Sequence, residues 1–136
     1  MKLIKALLID NDLETIQQIK RFSDENAVII FFSGYSNSLQ ESISLLQEMR
    51  PELVFLNPTE DNMAHFNLIK ELDFNIPKFI FISKDERDAF TAYRHNAVDF
   101  LRKPLDFNDL IISIYKVIKT IEMEISFQDQ KLNQIQ

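Results

Sequence analysis

The sequence predicts an α/β domain built on a five-stranded, doubly wound parallel sheet with helices on both faces, in three layers. Two observations carry this. Apolar runs of strand length alternate five times with segments whose apolar residues recur at helical spacing, as a chain of βα units requires. The strand segments are also nearly continuously apolar rather than alternating, the mark of strands covered on both faces. At 136 residues the chain suits one such domain, with right-handed crossovers between strands.

The elements follow in order. Leu3 to Ile9 is the first strand, and Leu13, Ile16, Ile19 and Phe22 then recur at helical spacing. Ala27 to Phe32 reads as the second strand, with Gly34, the only glycine, as the turn after it. Leu39, Ile43, Leu46 and Met49 mark a second helix. Leu53 to Leu56 is the third strand, and Phe66, Ile69 and Leu72 lie on a third helix. "KFIFIS" is the fourth strand, followed by a short helix with Ala89, Phe90 and Tyr93. "AVDFL" is the fifth strand, and Phe107, Leu110, Ile111, Ile114 and Ile118 form the last helix. From Ile114 the apolar positions continue at 4-3 spacing through Ile118, Ile121, Ile125, Leu132 and Ile135, with Gln128 at the skipped place. That spacing fits a coiled-coil seam, and it fits equally a helix packed on its own domain with a frayed, glutamine-rich end. The expected division is a domain over 1–122 and a helical extension or linker over 123–136.

Composition removes several function classes. There are no cysteines, hence no disulfide or thiol nucleophile, and only two histidines, too few for a clustered zinc site. A net charge of -6 argues against direct contact with nucleic acid. The opening "MKLIKALLIDND" is too short and too charged for a signal peptide or membrane span, so a cytoplasmic location is expected.

In a sheet of this kind the functional crevice lies beyond the carboxyl ends of the strands. That rule singles out Asp10, Asn57, Ser83 and Lys103 at the ends of the first, third, fourth and fifth strands. A carboxylate, an amide, a hydroxyl and an ammonium gathered there suit phosphate chemistry.

The stretch from about Leu3 to Ile121 resembles the receiver domain of bacterial two-component response regulators. "NAVDFLRKP" (Asn96 to Pro104) is similar to the "NAVDYLLKP" of receivers that precede LytTR-type DNA-binding domains. The resemblance implies the flavodoxin-like strand order 2-1-3-4-5. In that family acids after the first strand hold magnesium, an aspartate after the third accepts a phosphoryl group, and a Ser/Thr and a lysine bind its oxygens. Carried over by position, Asp10, Asn11 and Asp12 form the acidic pocket, Asn57 stands at the acceptor position, and Ser83 and Lys103 match the phosphate-binding pair. Lys103-Pro104 matches the family's cis peptide, and Phe100 falls on the aromatic switch position. Lys84 stands where a small residue is usual and is a candidate to block the pocket. Asp61 and His65 replace the usual proline and glycine after the acceptor.

Those departures change the chemistry. Phosphoryl transfer to a side chain needs an anionic oxygen in line with phosphorus and a cation to absorb charge. An amide oxygen is a poor nucleophile, and Pro58 lacks the backbone N–H that deamidation of Asn57 would use. With Asn11 and Asn57 neutral, Asp10 is the one certain anionic ligand and Asp12 a doubtful second, so magnesium binding should be weak or absent and no cofactor is expected. Lys103 is free to pair with Asp10. The reading is a degenerate receiver that signals through phosphorylation-independent protein contacts. The resemblance implies homodimerisation through the last strand and last two helices, with the coiled coil as a further contact. "LLIDNDLET" also resembles the first motif of haloacid-dehalogenase-type phosphatases, with Asp10 as nucleophile. Leu13 replaces that family's glycine, however, and the chain has no room for a cap insertion. An FMN site is disfavoured by the acids after the first strand. His65 and His95 read as surface residues.

Overall fold

The computed structural model describes residues 3–71 and 76–135. The elements in chain order are β1 (Ile4–Ile9), α1 (Leu13–Glu25), β2 (Ile30–Ser36), α2 (Leu39–Met49), β3 (Leu53–Leu56), α3 (Glu60–Lys70), β4 (Lys78–Ser83), α4 (Asp88–Arg94), β5 (Asp99–Arg102) and α5 (Phe107–Ile135). All neighbouring strands pair in parallel, in the order β2-β1-β3-β4-β5. This is the doubly wound, flavodoxin-like sheet that the sequence leads one to expect.

Alternate residues of each strand feed two separate cores, one on each face of the sheet. Ala6, Leu8, Leu53, Phe55, Ile80 and Ile82 face α1 and α5, where Ile19, Phe22, Leu110, Ile114 and Val117 complete the cluster. Leu7, Ile9, Val54, Leu56, Phe79 and Phe81 face the other way, against Leu46 of α2, Phe66 and Ile69 of α3 and Ala92 of α4. Three helices begin on polar caps that satisfy their first free amides: Asp12 accepts from Glu14, Ser38 from Glu41 and Thr59 from Asn62.

The second strand departs from the sequence reading. Residues 27–29 belong to a turn in which the Asn26 carbonyl accepts from the amides of Ile29 and Ile30, so β2 starts three residues late. Gly34 is then not a turn after the strand but part of it. The register steps from Ala6 opposite Phe32 to Leu7 opposite Gly34, leaving Ser33 as the extra residue of a bulge. Gly34 has φ 145°, a conformation that side chains rarely adopt. The bulge lets the strand run on to Ser36.

Two helices also differ in detail. On α4, Phe90 and Tyr93 are 65% and 80% exposed, and Ala92 alone is buried. Leu72, assigned to the third helix, lies outside the described residues. The last helix runs for 29 residues with no break at position 122, a length of roughly 43 Å. Ile114 and Ile118 are buried and Ile121 packs on the same core, so the first part of the 4-3 stripe serves the domain itself. Beyond it Met123, Ile125, Phe127 and Leu132 are exposed; the side chain of Ile135 is outside the described set. An ion pair between Lys78 at the start of β4 and Glu124 ties the projecting part to the sheet. No described helix is long and apolar enough to cross a membrane.

Candidate functional site

The carboxyl ends of β1, β3, β4 and β5 open into a cavity of about 340 Å³ bordered by Asp10, Asn11, Asp12, Asn57, Ser83, Lys84 and Lys103, among others. The positions singled out by the strand-end rule therefore come together. Their connections decide what the place can do.

Lys103 is the centre. Its Nζ lies 2.6 Å from Asp10 Oδ2 and 3.1 Å from Asp12 Oδ2, with the lysine side chain 5% exposed and that of Asp10 3%. Asp10 Oδ1 accepts from the Asp12 amide at 3.2 Å. Asp12 Oδ1 accepts from the Glu14 amide, and its Oδ2 also accepts from Thr15 Oγ1 at 2.9 Å. Burial pushes the Asp12 carboxyl up, but the hydrogen bonds from Lys103 and Thr15 outweigh it and hold the group below its ordinary value. The Lys103-Pro104 peptide is cis.

Asn57 is held through its backbone. Its amide donates to the Ile9 carbonyl at 3.2 Å, and its own carbonyl accepts from the Thr59 amide and from Asn62 Nδ2 at 2.9 Å. Asn62, which the sequence reading passed over, is buried on α3 and also reaches the Ile9 carbonyl. It fastens α3 to the strand ends. Ser83 is engaged with two further residues that border the cavity: its hydroxyl donates to Asp88 Oδ2 at 2.6 Å and accepts from the Asp85 amide at 3.0 Å. Asp88 too was missed, because it acts from the first turn of α4. Lys84 and Asn11 are exposed at the rim. Phe100 is half-buried and packs against the cluster that contains Phe66.

The acids to which the resemblance assigns a divalent cation are engaged within the protein. All four oxygens of Asp10 and Asp12 already accept hydrogen bonds, two of them from an ammonium. The neighbouring side chains Asn11 and Asn57 carry no charge. Among the described residues no three His, Cys, Asp or Glu side chains are grouped to hold a metal.

The two histidines correct the sequence reading. His65 is 4% exposed, and its Nδ1 lies 3.1 Å from Ser42 Oγ. It belongs to the inner stripe of α3 with Asn62, Phe66 and Ile69. Burial holds it below the ordinary imidazole value, against the pull of Asp61 one turn earlier. His95 is half-buried, edge-on to Phe66 at 5.2 Å.

No family model matches the chain. It is 27% identical over 120 residues to an uncharacterised response regulatory protein of Shewanella oneidensis, covering 88% of this chain and 50% of that one. It is 26% identical over 131 residues to the transcriptional regulatory protein BtsR of Escherichia coli, covering 96% and 53% respectively. The chain thus spans about half the length of the curated relatives it matches. In fold it superposes on the REC domain of AraT, a response regulator from Geobacillus stearothermophilus, with a TM-score of 0.74 at 24% identity, covering 90% of this chain and 98% of that one. The chain has the response-regulator receiver fold, and along most of its length its sequence is similar to response regulatory proteins.

Proposed function

We propose that this chain is a receiver-type domain of a bacterial response regulator that works through protein contacts and not through phosphoryl transfer. One arrangement carries the reading: a neutral amide at the third strand's end, beside an ammonium that is already paired with both nearby carboxylates. No anionic nucleophile faces the cavity from Asn57. Asp10, the nucleophile of a phosphatase alternative, is 2% exposed with both oxygens engaged. Incubation with acetyl phosphate and magnesium should leave the intact mass unchanged. An adduct of one phosphoryl group on any residue would overturn the proposal.

The partner face follows the same reading. Phe90 and Tyr93 of α4 and Ile112 and Tyr115 of α5 are exposed on the elements flanking β5. The seam of α5 continues past the domain with Ile125 and Leu132 uncovered. A homodimer through these surfaces should make the thermal midpoint rise with protein concentration, and a chain ended at Glu122 should show a weaker rise. Equal concentration dependence in the two would remove the tail from the interface.

A further inference from the structure

Ser83 is where the crevice meets α4. Its side chain is buried, and its hydroxyl binds both the loop that leaves β4, through the Asp85 amide, and the first residue of α4, through Asp88 Oδ2. Counting hydrogens shows what this leaves. A hydroxyl has one hydrogen and a carboxylate only accepts, so that hydrogen is spent on Asp88. Towards the cavity Ser83 has a lone pair to offer and nothing to donate. The acceptor that takes its hydrogen is part of the chain itself.

At its crevice end α4 leans on this bond. The helices α1, α2 and α3 each begin on a side-chain cap, whereas α4 has no side-chain cap. Ala92, one turn beyond Asp88, is buried, and Ala89 and Thr91 are half-buried. The backbone bonds at the start of the helix, from Asp88 to Asp85, Ala89 to Glu86 and Phe90 to Arg87, stay within the loop and the helix. The Asp85 carboxylate is taken up by the Arg87 guanidinium. A further link from the loop to the sheet, between Glu86 and Arg102 of β5, joins side chains that are 75% and 63% exposed, and such a pair holds little. The Ser83–Asp88 bond is short, charge-assisted and part-buried, which makes it the stronger tie. The exposed aromatic pair Phe90 and Tyr93 rides on the helix that it fixes.

We propose that Asp88 is a positioning residue for the partner face. By taking the hydrogen of Ser83 it docks the first turn of α4 on β4, so that Phe90 and Tyr93 are presented in one arrangement with no ligand needed in the crevice. This rests on the reading of the chain as a module that works through protein contacts, and adds how its face is held ready.

Hydrogen exchange on the full chain tests the bond. Ser83→Ala and Asp88→Ala should each raise exchange of α4 amides by roughly tenfold, while amides of β1 and β3 keep their rates. The double variant should go no further than either single one, because both remove the same bond. Asp88→Asn keeps an oxygen for the Ser83 hydroxyl and should stay close to the wild type. Thermal midpoints over a range of concentrations then test the face: Asp88→Ala should lose part of the wild-type rise, and Asp88→Asn should keep it. Unchanged α4 exchange in Asp88→Ala, summed effects in the double variant, or a loosened α4 with an undiminished rise would each overturn the proposal. In a wild type whose midpoint ignores concentration, the homodimer fails while the exchange result still decides for or against Asp88.

Discussion

Replacing Lys103 with methionine should destabilise the domain by roughly 3–5 kcal/mol at neutral pH, the cost of leaving a buried charge without its partner. Asp10 has no access to water to make up the loss, being 2% exposed, and its second oxygen is held by one backbone amide. Methionine fills the lysine's stem volume, so the effect measures charge and not a cavity. Urea unfolding should show a lower midpoint with an unchanged slope. Adding Asp10→Asn to Lys103→Met should recover part of the loss, because the uncompensated charge is then gone. Asp12→Asn should behave differently and cost about 1 kcal/mol or less, since an asparagine still caps α1 and the Asp12 side chain is 26% exposed. The acid side carries a further signature. The Asp12 carboxyl is held below its ordinary value, so its contribution is complete above the usual carboxylate range and is lost as pH falls through the lowered value. Lys103→Met removes one of the groups that holds it there, and the acid-side slope of stability should flatten. A cost of about 1 kcal/mol or less for Lys103→Met would mean that the ammonium does not hold the crevice together.

The same residue shows what a sequence discloses and what it conceals. Lys103, Asp10, Ser83 and Asn57 were legible because continuous apolar runs mark the strands, and parallel topology brings all the strands' carboxyl ends to one rim. Asn62 and Asp88 were not, because each works from the first turn of a helix back across a loop, and Thr15 was not, because it acts on the cap of its own helix; strand ends encode neither relation. A signal for Asn62 and His65 did exist. Positions 62, 65, 66 and 69 form one stripe at helical spacing, and reading only its apolar members left Asn62 unread and His65 at the surface. The second strand failed for another reason. The apolar run over residues 27–32 has the right composition, but the Asn26 carbonyl captures the amides of Ile29 and Ile30, and the bulge at Ser33 then carries pairing past the glycine. Capture of that kind is a matter of backbone geometry, to which hydropathy is blind.

Phe66→Ala should cost a comparable roughly 3–5 kcal/mol through a different mechanism, the opening of a cavity that rigid neighbours cannot fill. The ring is 2% exposed and is met edge-on by Phe79 at 4.8 Å, Phe81 at 5.5 Å and His95 at 5.2 Å. Two of those partners are fixed on β4, which is paired on both sides by β3 and β5, and cannot follow a shrinking side chain without breaking the strand ladder. Each edge-to-face pair is worth about 0.5–1.5 kcal/mol beyond its buried area, so the loss should lie toward the upper end. For a domain of this length a fall of roughly 10–15 °C in the thermal midpoint corresponds to that range. Phe66→Leu separates the two contributions: it restores most of the apolar volume but none of the ring geometry, and should recover the larger share of the loss. The two substitutions also separate packing from charge. Phe66→Ala should leave the acid-side slope of stability as in the wild type, because neither Asp12 nor Lys103 touches this cluster. If Phe66→Ala cost no more than Phe66→Leu, the core on the α3 side would be able to collapse. Phe66 would then not be what fixes α3 and α4 on β4 beneath the crevice.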